Sequence, residues 1–499
     1  MATESPGDTV CRIASGSGAG ELDMAMREAT DAPIRSVGST GARALEPLLS
    51  ISRGGRTAFF AACTESRAAE VARDLDGDLP TQAAEAVVSH EEESGTLPIP
   101  DLSALSVGTR SVLGRCGWVR PTHSGDYRAS GGFGALSADS VKLRDAARDI
   151  AGRGWGDAAT DEPIGETWDR VVDAGGDPAV VVNGHGSPGD RLLLESVPFL
   201  PLEGALGAAR AVDATEVVVY LSAGDGLVQE RVTAAVESLP DDERLGAIDV
   251  RVATGTDEHR AAEPTMALEA IEGTDRLEAR LRPPGPEAEG LHGRPTLVHT
   301  PRTLAQVVRA VEGAEGTRVV TVRGDETATI ELPEGASLSV AREAVGLDGS
   351  FKGARVGGRF GGLTPDLDIP ASADALDAAG LGTEGVIDLL GDGECVVAHV
   401  GETARYAEAE NCGRCVPCRE GSKQLTELLR EVYEGSFRRG DIEELLRVVR
   451  SSSLCAFGPH MTRPIATAIE HFEDEFVEHA EGRCPAGSCT TDVPPEVAA

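Results

Sequence analysis

Aromatic side chains are scarce in this sequence: three Trp, four Tyr and ten Phe among 499 residues leave few rings to stack on bases. Basic residues are in deficit as well. Forty-six Lys and Arg stand against eighty-three Asp and Glu, for a net charge of −37. An acidic excess of that size repels phosphate backbones and anionic lipid, so the two shortages together exclude nucleic acid as a partner. No apolar run reaches the roughly 18 to 20 residues that span a bilayer, and the opening MATESPGDTV has no charged-then-apolar leader pattern. The expectation is a cytoplasmic chain without direct membrane insertion. Cysteine is sparse and uneven: of ten, six lie between 412 and 489. That clustering is wrong for a disulfide scaffold spread through a large intracellular chain and right for a metal or cluster site.

What is abundant is Ala, Gly, Val and Leu. The length exceeds what one hydrophobic core sustains, so several domains are expected. The acid excess and the preference for Arg over Lys resemble proteins of extreme halophiles, in which salt screens the self-repulsion. Residues 1–44 are polar and Gly-rich, and are expected to form a disordered tail. Residues 45–107, with RTAFFAAC followed by ESRAAEVARDL, suggest a small α/β module. From 108 to 315, Val-rich runs (PAVVVNG, TEVVVYLSA, GAIDVRVATG) alternate with amphipathic helices, the pattern of a parallel sheet covered on both faces. Residues 316–375 alternate apolar and polar positions as a β-grasp-like domain does. Residues 376–482 turn helical: Leu425, Leu428, Leu429 and Val432 share one face, and so do Ile465, Ile469, Phe472 and Phe476. Residues 483–499 form a C-terminal tail. The fold class is therefore α/β and α+β multidomain: a parallel-sheet domain, a β-grasp domain and a C-terminal helical bundle.

The chemistry concentrates in NCGRCVPCREG. Cys412, Cys415 and Cys418 share one tight loop with a helix leaving directly after it. Such loops turn successive amides toward a cubane, offsetting its negative charge. Cys455, in SSSLCAFGPHMTRP, supplies the fourth thiolate if the bundle folds back, completing a [4Fe-4S] site. Structural zinc is the rival, although four-cysteine zinc sites usually use two separate CxxC pairs. Cys484 and Cys489 in GRCPAGSC are open to three roles: a tail disulfide, a redox pair or a docking element. Cys395, in a strand-like run, is expected in the core.

ENCGRCVPCREG, followed by SLCAFG and RPIATAIEHFEDEFVEH, resembles the C-terminal domain of the NADH-binding flavoprotein subunit of respiratory complex I, and its relatives in NAD-linked hydrogenases and formate dehydrogenases. GLGTEGVIDLLGDGECVVAHVGETARYAEAENCGRC resembles the approach to that domain. VGGRFGGLTP resembles the end of the family's soluble-ligand-binding β-grasp domain, and SVLGRCGWVRPTHSGDYRASGGFGAL the entry into its flavin domain. The resemblance covers roughly 108–490. It implies an electron-transfer subunit that takes a hydride from NADH onto FMN and passes single electrons through a [4Fe-4S] cluster on Cys412, Cys415, Cys418 and Cys455. The implied partner is a [2Fe-2S] thioredoxin-like protein or an iron-sulfur oxidoreductase subunit, peripheral to a membrane complex. It also implies that residues 45–107 are a degenerate thioredoxin-like domain, with too few cysteines for a second cluster.

For FMN, the resemblance points to Gly152, Arg153, Gly154, Gly156 and Asn183. Here the pattern departs from the family. Trp155 stands where Gly is expected, Asp157 adds negative charge beside a phosphate position, and the loop's Lys becomes Thr167. The second loop is shortened to Asn183-Gly184-His185-Gly186-Ser187-Pro188-Gly189-Asp190, without its acids and aromatic. Gly-Glu-Glu-Thr becomes Ala262-Glu263-Pro264-Thr265, and a paired Asn becomes His299-Thr300. His185 and His299 could contact a ligand, though a loop His is more often solvated. These departures leave an alternative: an iron-sulfur or zinc scaffold that has lost flavin and NADH.

Overall fold

The computed structural model describes residues 9–489 apart from 74, 76, 77, 240–247 and 275. The expected disordered tail is corrected at once, because residues 10–37 are folded. Val10–Ala14 is buried at all five positions, and Leu22 and Met26, one helical turn apart on Ala19–Ala29, close over it. The helix returns the chain to Ile34–Val37, which pairs parallel with Val10–Ala14. The antiparallel strands Leu49–Arg53, Arg56–Phe60 and Ala86–Ser89 complete a five-stranded sheet, so the first module begins near residue 9 and not at 45. Polar and Gly-rich flanks conceal this strand, which is only five residues long and has Arg12 at its centre. Residues 1–8 and 490–499 of the two expected tails lie outside the described residues.

The central domain holds four parallel strands in the order Asp249–Gly255, Glu216–Ser222, Ala179–Asn183, Thr296–His299. Alternate residues of one strand enter different apolar clusters, Val180 and Val182 on one side and Ala179 and Val181 on the other. That is why these strands read as continuous Val-rich runs: both faces of the sheet are covered. No single helix among the described residues is long and apolar enough to cross a membrane. Pro188–Ser196 and Phe199–Ala211, bent by 98°, have the composition only as a pair, and both are packed into this domain.

The β-grasp sheet is ordered Thr327–Pro333, Thr317–Arg323, Val386–Gly391, Phe351–Val356, Gly362–Thr364. Its middle strand, VIDLLG, is buried throughout and pairs parallel with Thr317–Arg323. The sheet therefore extends past 375 to 391, because a six-residue buried strand reads like the start of a helix when only apolar content is counted.

Five helices follow: Val396–Glu410, Val416–Tyr433, Arg439–Ser452, Phe457–His471 and Glu473–Ala480. Leu425, Leu429 and Val432 are buried as expected, with Leu428 partly so. At Gly421 a Cβ would stand 2.4 Å from Val449 Cγ2, so this glycine sets how closely the second and third helices approach. The last expected face is split, since Phe472 leaves helical geometry (φ −133°) between two helices. Leu363 N donates to Thr467 Oγ1 at 2.8 Å and Lys352 pairs with Glu475 at 2.6 Å, which seats the bundle on the β-grasp sheet.

Candidate metal centre and the adjoining cleft

Helix Val396–Glu410 stops at Asn411, whose side-chain oxygen accepts from Gly413 N at 3.0 Å. Gly413 takes the left-handed φ of +75° that reverses the chain, and Arg419 holds its carbonyl at 2.7 Å. Cys415 then caps Val416–Tyr433, with Pro417 in the first turn, and Cys418 is buried one turn in. Cys455 lies just before Phe457–His471, and Phe457 N donates to its Sγ. The four predicted thiols share one neighbourhood: Cys415, Cys455 and Cys412 all lie close enough to Cys418 for their charge to act on it. Two helix N-termini thus point at them, and their partial positive charge favours thiolates and an anionic cluster. Burial opposes ionisation, pushing Cys455 up to about 12 and Cys418 higher still, which is the cost a bound cation offsets.

The spacing of these thiols bears on the zinc alternative. Among the described residues, the His/Cys/Asp/Glu group with all ligand atoms within 4.8 Å of one another is a different one. Four thiolates, three of them from one CxxCxxC loop whose middle cysteine also faces the site, are the donor set that a [4Fe-4S] cluster takes, whereas four-cysteine zinc sites usually use two separate CxxC pairs. The donor set therefore fits a [4Fe-4S] cluster. Arg414 Nη1 to Ala279 O (2.6 Å), Arg260 Nη1 to Asn411 O (3.3 Å) and His259 N to Glu410 Oε2 (3.1 Å) tie the loop to the central domain.

Between the thiols and the flavin-type loop lies a ring cluster that sequence reading missed. Trp155 stacks on His259 with centroids 4.9 Å apart and planes 3° from parallel. Phe457, Phe360, Tyr406 and His460 pack around the pair. They come from five separate segments, so no spacing in the chain could reveal them; the one signal was Trp155 inside a Gly loop. Burial lowers His259 to about 4 and His460 to about 3, so both are neutral at pH 7. Between pH 6.5 and those values the unfolded chain binds protons that the folded chain does not. Their contribution is therefore intact above pH 6.5 and is lost as pH falls. Glu384 runs the other way, its pKa raised to about 7 by burial, so it removes stability as pH rises from 4.5 through 7. His259→Phe isolates the first effect. The variant should lose less stability than wild type between pH 6.5 and 4.5, by on the order of 2 kcal/mol, read as a smaller drop in melting temperature.

The loop itself, Gly152–Asp157, is engaged by protein. Arg153 is buried and donates to Thr317 O, Ala151 O and Glu334, away from the cleft. A Cβ on Gly152 would meet Ala159 O at 2.2 Å, so this glycine serves the turn. Asn183 Nδ2 donates to Gly156 O and Ala262 O, both at 2.8 Å. Of the five residues expected at FMN, only Gly154 and Gly156 line the cavity; the other three serve the scaffold. Neither histidine is solvated. His299 is fully buried, accepting from Trp168 Nε1 (2.9 Å) and donating through Nδ1 to Asp157 (3.0 Å). His185 bonds Thr256 O at 2.7 Å through Nε2 and stacks on Tyr220. Asp157, expected to repel a phosphate, instead turns inward to His299, Thr300 N and Ala159 N. Thr167 is buried and bonds Arg170. Glu263 caps helix Pro264–Ile271 through the amides of Thr265 and Met266.

These contacts test the fit of FMN. The Trp155 amide is taken by the Glu384 carboxyl group, which occupies a donor on the loop that would otherwise face a phosphate. Arg302 is 2% exposed, pairs with Asp190 at 3.1 Å and donates to Glu384 O at 2.9 Å. The cavity left among Gly154, Trp155, His185, Asp190, Arg302 and Glu384 measures about 200 Å³, below the roughly 300 to 1,000 Å³ of cofactor and ligand pockets. The residues present do not fit FMN.

A parallel-sheet domain, a β-grasp sheet and a helical bundle whose helix starts gather four thiols define an iron-sulfur protein built on a flavoprotein frame. Residues 398–479 match the NADH-ubiquinone oxidoreductase-F iron-sulfur binding region. The chain is 30% identical over 355 residues to the F-type NADH-quinone oxidoreductase protein of Mycobacterium tuberculosis, covering 63% of this chain and 77% of that one. It is 29% identical to an F-type NADH-quinone oxidoreductase protein of Rhizobium meliloti (72% and 95% covered), and 28% identical to HndC of the NADP-reducing hydrogenase of Solidesulfovibrio fructosivorans (77% and 86%). A crystal structure of an NAD+-reducing [NiFe]-hydrogenase shares the fold, with a TM-score of 0.62 at 21% identity over 95% of this chain and 84% of that one. The chain belongs to the F-type family of NADH-quinone oxidoreductase proteins.

Proposed function

We propose that this chain is an electron-transfer subunit of an NADH-linked oxidoreductase assembly, in which Cys412, Cys415, Cys418 and Cys455 hold a [4Fe-4S] cluster and the flavin-type domain is kept as scaffold. The observation that carries the reading is the convergence of four thiols at two helix N-termini. When bound, such a cluster supplies outer-sphere one-electron transfer. The helix starts and the Phe457 amide stabilise the thiolates, and the rings of Trp155, Phe360 and Phe457 keep water from the cleft side. The partner is an electron-transfer protein, either a [2Fe-2S] thioredoxin-like protein or an iron-sulfur oxidoreductase subunit, in an assembly at the cytoplasmic side of a membrane. Residues 9–107 are read as a thioredoxin-like module without a cluster, because Cys11 and Cys63 are buried thiols raised to about 12 and about 11.

Anaerobic purification in high salt tests this. Iron near about four per chain, flavin below about 0.1 per chain, and an EPR signal after dithionite but not after NADH are expected. Stoichiometric flavin with reduction by NADH would overturn the scaffold assignment, and zinc in place of iron at the four thiols would overturn the cluster.

A further inference from the structure

The sequence leaves Cys484 and Cys489 open to several roles and assigns Cys395 to the core, yet the fold brings all three to His479. One sulfur from each cysteine and one imidazole nitrogen lie within 4.8 Å of one another. Cys395 is not in a strand. It caps helix Val396–Glu410, its Sγ accepts from Ala398 N at 3.3 Å, and it stands 3.2 Å from His479 Nε2. The other ring nitrogen, Nδ1, is 2.6 Å from the carbonyl of Glu475 and can only donate to it. That bond fixes the tautomer and leaves the Nε2 lone pair directed at the sulfurs, the outer-shell arrangement common to metal-bound histidine. Cys484 opens a turn closed by Gly487 N to Cys484 O at 3.0 Å, and the amides of Ser488 and Cys489 donate to its sulfur.

We propose that Cys395, His479, Cys484 and Cys489 form a structural zinc site, separate from the four-thiol centre. Three thiolates and one imidazole are a closed tetrahedral set with no position left for substrate. Zn–S and Zn–N bonds of about 2.3 and 2.0 Å imply ligand separations of about 3.5 to 3.8 Å, which the side chains reach by shifts of about an ångström or less. A Cys484–Cys489 disulfide would use two of the three sulfurs and leave Cys395 and His479 with only a thiol-to-imidazole hydrogen bond. A cubane needs a wider set of thiols than this one.

The site joins three places in the chain: the turn from the β-grasp sheet into the bundle, the last helix, and the segment that follows it. Glu475, one turn before His479, accepts from Val396 N at 3.2 Å and pairs with Lys352 of the sheet. Zinc there locks the end of the bundle onto its root on the sheet.

Metal analysis of the full chain purified anaerobically is expected to give about one zinc beside the iron. Cys484→Ser/Cys489→Ser should reduce zinc to below about 0.1 per chain while the iron and its EPR signal stay within about 20% of wild type. Because that variant can fail to fold, cobalt exchange into wild type provides a second reading: visible d–d bands and a sulfur charge-transfer band are expected, absent when zinc is restored. No zinc in wild type even after its addition, zinc retained by the double variant, a Cys484–Cys489 disulfide in the anaerobic protein, or no thiolate-cobalt spectrum would each overturn the site. Because the zinc reading does not depend on iron, failure of the cluster proposal, seen as lost iron with zinc kept, remains distinguishable.

Discussion

Cys455→Ser is expected to remove the iron-sulfur cluster: iron should fall from about four per chain to below about one, and the dithionite-reduced EPR signal should disappear. The three thiols of one loop can approach only one side of a cubane, and the remaining iron needs a ligand from another segment. Cys455 supplies it from the start of Phe457–His471, with the Phe457 amide on its sulfur. A serine hydroxyl at that position would have to ionise from a far higher pKa, and it is a harder donor than iron in a sulfide cluster prefers. Cys116→Ser, at a fully buried cysteine of the central core, should leave the iron count unchanged. A Cys455→Ser protein that keeps about four iron and an unaltered signal would exclude Cys455 as a ligand.

The second large effect is expected at Asp190→Ala. Asp190 and Arg302 are each about 2% exposed at the side chain and pair at 3.1 Å, and Asp190 Oδ1 also accepts from Arg302 N at 2.9 Å. Removing the carboxylate leaves a guanidinium buried without its counter-charge at the junction of the central domain and the β-grasp sheet. The cost of breaking a buried pair in this way is roughly 3 to 5 kcal/mol. In a chain of several domains it should lower the first thermal transition by about 10 °C. The double replacement Asp190→Leu/Arg302→Met should recover most of that loss, since it removes both charges together. A double variant no more stable than Asp190→Ala would show that packing around Arg302, and not its charge, sets the cost. The pair also bears on the cleft: Arg302 holds the Glu384 carbonyl and lies 2.5 Å from where a Gly154 Cβ would stand, so the same contacts that stabilise the junction also narrow the cavity.

How much of this was legible beforehand differs between the two halves of the site. Cys412, Cys415 and Cys418 lie within seven residues, so local spacing brings them together, and Cys455 was legible as a candidate fourth ligand from its place in a loop between two helices that a bundle can fold back. The cleft was different. The substitutions at Trp155, Asp157 and His299 were visible individually, but their meaning was not: Asp157 reads as a charge opposed to phosphate, and in the fold it is the hydrogen-bond partner of His299, 142 positions away. Glu384 drew no attention in GLGTEGVIDLL, because nothing local shows that its carboxylate reaches the Trp155 amide. The four ligands of the proposed zinc site suffered in the same way, with Cys395 eighty-four positions from His479.

The sequence by itself determined the class of chain, its parallel sheet, its β-grasp sheet and bundle, and the loop that gathers three thiols. Those properties rest on periodicity, composition and short spacings, which act over a few residues. Only the tertiary structure decided that the N-terminal residues from 10 onward are folded, that the flavin-type cleft is occupied by its own side chains, and that a second set of cysteines meets a histidine. Each of these depends on groups brought together from distant segments, where burial and hydrogen-bond pairing, and not local pattern, decide what a residue does.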